Sequence, residues 1–410
     1  MFKTCAKQNK ARGKGRGGGL RLGMLAAALS LWLAPPLAAD PREQAKRIHD
    51  RLTGVPPTAA VLDRMEDEIA LNSDPFAAAM IAIDGPNNPN SKYFYNVTLK
   101  NFAAPWTNRD QSAFAPLNDY TATVIGMIRD ERPFNQLLSA DYLYAGVPGL
   151  PGVAAVSATS NQHYIDLEST GVDLSDSDKL QSVPQQAVTG IPASATAGVM
   201  TTRAAARAFF IDGTNRAMFR FTMLNHLCND MEQVKDITRS PDRIRQDVSR
   251  SPGGDSRIFL NSCIGCHNGM DPMAQAFAYY QYDYPEGDED SGRLVYTAGQ
   301  VQPKYYINAD NFRPGYVTPD DRWDNYWRSG PNAILGWDAG LPGSGNGARS
   351  MGEELANSEA FARCQATKAY RAVCLGDPDQ GQLDTLTATL QFAYNMKHVF
   401  AEAAVQCMGD

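Results

Sequence analysis

The chain has 410 residues, 43% of them hydrophobic, with a formal charge of −7. That length and apolar fraction allow a sizeable core and suggest two or three domains. The acidic balance disfavours nucleic acid and anionic membrane surfaces as partners.

The first 39 residues read as a signal peptide. Lys3, Lys7, Lys10, Arg12, Lys14, Arg16 and Arg21 form a basic region, Leu22 to Leu33 an apolar one, and Leu37-Ala38-Ala39 a small-residue cleavage site before Asp40. The apolar run is too short to span a bilayer, and without an Arg-Arg pair general secretion is expected. Removing this leader leaves 31 Lys and Arg against 45 Asp and Glu, formally −14. An exported, acidic chain suits docking against a basic redox protein, or simply solubility.

Helix starts recur as a capping residue followed by proline, at Asp40-Pro41, Asp74-Pro75, Ser240-Pro241 and Asp271-Pro272. Ala45, Ile48 and Leu52 share one helical face, as do Val61, Met65 and Ile69 after Thr58, with Gly54 as the stop between. Residues 85–118 are turn-rich. Helical patterning returns at 120–129 and is expected at 133–144. Residues 40–150 are therefore expected as an N-terminal helical domain. Gly, Pro, Ser, Thr and Ala dominate 151–199, read as a connector whose ordered piece is 161–168. Residues 200–410 are expected as the second domain, helical at 201–210, 216–228 and 241–249. A short hairpin is expected around Arg293-Leu294-Val295-Tyr296, then an aromatic patch of Trp323, Trp327 and Trp337. Two long helices, 352–374 and 382–407, close the chain. Nothing alternates β with α, and no dinucleotide or Walker-type loop occurs. The fold class is mainly α.

The chemistry concentrates at Cys263-Ile264-Gly265-Cys266-His267. C-x-x-C-H is the attachment signature of a c-type haem: the two thiols add to the porphyrin vinyl groups and the imidazole becomes the proximal iron ligand. A structural zinc site wants four ligands, normally with a second such pair, and a redox dithiol wants a βαβ context. Neither is present in the sequence. One motif implies one covalent haem c held by Cys263, Cys266 and His267, in a cytochrome c-like part spanning 200–410.

The opposite haem face decides between electron transfer and catalysis. Met270 and Met273 are too near to His267 to round the porphyrin edge, since three residues span roughly 10 Å at most, and are read as pocket-wall or core methionines. Met351, preceding the 352–374 helix, is the leading distal candidate, with Met223, His226, Met396 and His398 behind it. His163 is read by default as a loop anchor. Cys228, Cys364, Cys374 and Cys407 remain, allowing three pairings. Cys364 with Cys374 is the local choice, leaving Cys228 with Cys407; free buried thiols are the competing reading.

Cys263-x-x-Cys266-His267-x-Gly269-Met270-Asp271-Pro272, Leu355-Ala356-x-Ser358-x-x-Phe361-x-x-Cys364 and Leu375-Gly376 resemble the planctomycete-type cytochrome proteins, exported bacterial chains of linked domains with mostly unassigned function. Arg51 to Thr58, Arg132-Pro133-Phe134 with Leu137-Leu138 and Ala140-Asp141-Tyr142, and Gly198-Val199-Met200-Thr201 extend the likeness over most of the chain. The resemblance implies haem on Cys263 and Cys266 with His267 as proximal ligand, and supplies no substrate. The expectation is an exported mono-haem cytochrome of the periplasm or outer envelope that passes electrons to a redox protein. A haem enzyme with an open distal face, of peroxidase or oxidase type, and a haem-bearing structural component of the envelope are the alternatives.

Overall fold

The computed structural model describes residues 39–409; the leader lies outside them. The architecture is mainly helical, with three small antiparallel pairs of strands. Among the described residues no helix is long and apolar enough to cross a membrane.

The capped starts form as their chemistry dictates. Helix α1 (Pro41–Thr53) is opened by Asp40, whose carboxylate accepts from the Glu43 N–H at 2.8 Å, and closed by Gly54 at φ +74°. Thr58 caps α2 (Ala59–Ala70) and Asp74 caps α3 (Pro75–Asp84). The three pack together through Ile48, Leu52, Met65, Ala78 and Ala82. Helix α4 (Asp119–Arg129) is buried along its whole length and forms the centre of the molecule. Within it Thr123 donates to the Asp119 carbonyl at 2.6 Å and accepts from the Tyr144 N–H at 3.1 Å.

Four expectations are corrected. Residues 133–144 hold one 3-10 turn and then β1 (Tyr142–Gly146), which pairs with β2 (Leu180–Pro184), so the connector is tied into a sheet around α5 (Gln162–Ser169). After α6 (Arg203–Phe209) and α7 (Arg216–His226), residues 241–249 are irregular rather than helical. The Arg250 guanidinium there donates to the Ile244, Arg245 and Val248 carbonyls, holding the chain in a compact loop. Asp271-Pro272 does not start a helix; Pro272 lies inside α8 (Ile264–Ala274). Each long C-terminal helix is broken in two, giving α9 (Gly347–Ala356) and α10 (Glu359–Cys374), then α11 (Gln380–Ala393) and α12 (Met396–Gln406). Ser358 and Asn395 restart them, their side chains accepting the first free N–H groups. The expected hairpin is present: β3 (Tyr280–Asp283) pairs with β4 (Arg293–Tyr296). A third pair, β5 (Arg322–Asp324) with β6 (Ser344–Asn346), carries buried Trp323.

The disulfides join Cys228 to Cys364 and Cys374 to Cys407. The local pairing of Cys364 with Cys374 fails because both lie on α10. Ten residues of helix separate them by about 15 Å, well beyond disulfide reach. The described residues gather into one compact unit. Its main core runs from α1 to α12, and the helices that open the chain pack on α12.

Candidate functional site

The motif is carried by a continuous run of helical turns. Asp255 caps it, residues 259–263 form a π turn, and α8 follows. Phe259 is the one buried side chain of the first turns. With Ile244 and Val248 it makes a small apolar cluster on which Cys263 and Ile264 pack. Leu260 is 56% exposed and Ile258 46%, so apolar surface lies open just before the thiols.

Cys263 and Cys266 are free and partly exposed, whereas the other four described cysteines are paired. Cys266 Sγ donates to the Met231 carbonyl at 3.3 Å. Burial pushes its thiol pKa up, opposite to the activated thiolate of a redox dithiol. Cys263, Cys266 and His267 do not converge as ligands of one ion. Among the described residues, no group of three or more His, Cys, Asp or Glu could hold a metal.

Two glycines let the motif helix sit where it does. At Gly265 a Cβ would press on Lys235 Cγ and Ile237 Cγ2, at 2.5 and 3.0 Å. The 231–239 loop can therefore lie flat on the helix. The Asp236 N–H donates to the Gly265 carbonyl at 3.1 Å, and Asn268 donates to the Arg239 carbonyl at 2.5 Å. At Gly269 the buried indole of Trp327 takes the space of a side chain.

His267 is held from behind. Its Nδ1 lies 3.1 Å from Asp271 Oδ2, one helical turn on, and the Asp271 side chain is fully buried. A carboxylate only accepts, so Nδ1 carries a proton toward Asp271 and Nε2 is the ring nitrogen left to face a ligand. Arg216 on α7 donates to Asp271 Oδ1 through Nε at 2.6 Å and to Oδ2 through Nη2 at 3.2 Å. The far side of the same guanidinium donates to Asp247 at 2.8 and 3.0 Å. Burial alone would raise the Asp271 pKa. Arg216, His267 and Arg245 hold it far below the usual carboxylate range.

The other candidates lie elsewhere. Met351 is fully buried inside α9, not ahead of a helix as expected, because that helix begins at Gly347. Met270 and Met273 are core side chains, as read from the sequence; Met223 and Met396 are also enclosed. His226 is buried against Tyr120, with Nε2 2.6 Å from the tyrosine hydroxyl, and burial holds its pKa well below the ordinary histidine value. His398 packs edge-on to Phe76. His163 accepts from the Gly146 N–H at 2.9 Å and donates to the Ala154 carbonyl at 2.6 Å, a loop anchor. Of the expected site residues, α8 and its leading turn bring together Cys263, Cys266 and His267. Asp271 was missed because Asp before Pro reads as a cap. The i to i+4 spacing from His267 was the signal that could have found it.

The residues fit a covalent haem: two thiols left free, an imidazole with one ring nitrogen anchored and the other bare, and apolar surface beside them. Comparison with protein-family models, with curated proteins and with solved structures finds no match to the chain.

Proposed function

We propose that the chain is an exported c-type haem protein that transfers electrons to a redox partner in the periplasm or outer cell envelope. One observation carries this reading: of six described cysteines, four are paired, and the two left as thiols are those of the C-x-x-C-H stretch, followed by an imidazole whose Nδ1 is already bonded. When bound, the haem supplies an iron that cycles between ferric and ferrous and so moves single electrons. Cys263 and Cys266 would hold it covalently on one helical face, and His267 would offer Nε2 to the iron. Asp271 holds that ring in place. Ile258 and Leu260 are exposed in the turns that lead to the thiols, and their apolar side chains would lose water on contact with a porphyrin edge. Two disulfides suit a compartment outside the cytoplasm.

The test is the exported, purified protein. Haem that stays attached through denaturation, and is lost in the Cys263→Ser, Cys266→Ser double variant, is the expected result. Normally folded double variant with the same bound haem would sink the reading. A low-spin spectrum with a methionine-to-iron band that disappears in Met351→Ala supports electron transfer. High-spin ferric haem that binds cyanide and turns over peroxide replaces it with the enzyme.

A further inference from the structure

The buried pair His267–Asp271 does more than fill space. A carboxylate with zero side-chain exposure is costly to bury unless charge and hydrogen bonds compensate. Here compensation is complete on one side: Arg216 grips Asp271 through two N–H groups. Arg216 is itself balanced by Asp247, so the ladder runs His267, Asp271, Arg216, Asp247. Arg245 adds a second guanidinium, 3.6 Å from Asp247, with its Nε and Nη1 unpartnered. A purely structural cap would have bonded backbone N–H groups of the first turn. Asp271 instead points its oxygens at a histidine and an arginine.

Resting on the haem reading above, we infer that Asp271 is the positioning residue of the site: it fixes the His267 tautomer and, through the Nδ1–H bond, makes Nε2 a stronger donor, favouring ferric over ferrous iron. Outer partners of metal-ligating histidines orient the ring and raise ligand basicity in this way. Arg216 shares the same carboxylate, so both Asp271 oxygens are held by donors and the carboxylate is fixed against the ring.

The experiment compares reduction potentials of the haem-loaded protein and two variants. Asp271→Asn keeps the shape and removes the charge. It is expected to move the one-electron equilibrium at least tenfold toward ferrous, a rise of about 59 mV. Asp324→Asn is the control: it breaks another partly buried ion pair, to Arg243 at 2.7 Å, that does not touch His267. Its shift should stay under threefold. A smaller shift in Asp271→Asn, or an equal one in Asp324→Asn, overturns the inference. Should Asp271→Asn fail to fold, nitrogen-15 NMR of the unaltered chain, histidine-labelled and free of haem, decides. Protonated Nδ1 and bare Nε2 on His267 are expected, and the reverse tautomer overturns the inference. The two readings fail separately: a chain that never takes covalent haem fails the haem reading, while a haem-bearing chain whose potential ignores Asp271 fails only this one.

Discussion

Gly269→Ala tests how tightly the motif helix is held. Gly269 lies two residues beyond His267 with the Trp327 indole against it. An ideal Cβ would lie 2.6 Å from Cζ2 and closer still to Nε1 and Cε2, where ordinary contact begins at 3.4 Å. Neither partner can step aside freely. The Trp327 N–H donates to Asn325 Oδ1 at 3.0 Å, and its carbonyl accepts from Trp337 Nε1 at 2.9 Å. The helix is anchored by Asn268 on the other side. Overpacking of this kind costs about 1–3 kcal/mol, and a rigid site belongs at the upper end. Alanine recovers about 1 kcal/mol of helix propensity. The net loss expected is therefore about 1–2 kcal/mol. Urea unfolding followed by tryptophan fluorescence should show a lower midpoint with the slope unchanged. Adding Trp327→Phe opens room, so the double variant should be less destabilised than the two single losses summed, with a coupling of about 1 kcal/mol. Gly269→Ala as stable as the parent, or additive with Trp327→Phe, would refute the steric argument.

Two further outcomes follow from charge and covalent links. Lys304 and Lys368 have no carboxylate bonded to their ammonium groups; each donates to a carbonyl, of Phe210 and Asn225, and burial lowers each pKa to about 7. Above pH 7 the folded chain has released these protons while the unfolded chain still holds them, so stability should rise with pH from 7 to about 9.5. Above that range the buried tyrosines, whose pKa values are raised, reverse the slope. Lys304→Met with Lys368→Met should flatten the rise in urea midpoint across pH 7–9.5, and an unchanged slope would count against the burial argument. Replacing Cys374 and Cys407 by serine opens a loop of 33 residues, which chain entropy puts at about 3.7 kcal/mol. The urea midpoint should fall accordingly, and a loss below about 1 kcal/mol would mean that α10 and α12 are held by packing alone.

Local chemistry was legible in the sequence wherever it acts locally. Asp40, Thr58 and Asp74 cap the helices their side chains predict, because a cap needs only a neighbour three residues on. The 133–144 and 241–249 segments were misread because distant partners override propensity there: β2 pairs with the first, and Tyr316 bridges to Arg245 in the second. The cysteine pairing was illegible for the same reason, since it depends on which helices meet and not on spacing. At the site, Cys263, Cys266 and His267 could be named from spacing alone. Asp271 was legible only as a neighbour of His267 at i+4; that its charge can be buried there depends on Arg216, 55 residues earlier.

The packing of the opening helices on α12 has a consequence for how the chain must come to its fold. Gln44 donates to the Gly409 carbonyl across 365 residues, and Phe94 and Phe102 both stack edge-on to Phe400. The surface that buries the first turns is synthesised as much as 365 residues after them. Until it arrives, Ile48 and its neighbours have no complete core to enter, and contacts this distant form slowly. The opening helices therefore cannot complete their core before α12 is made, and their apolar faces are open to aggregation until then.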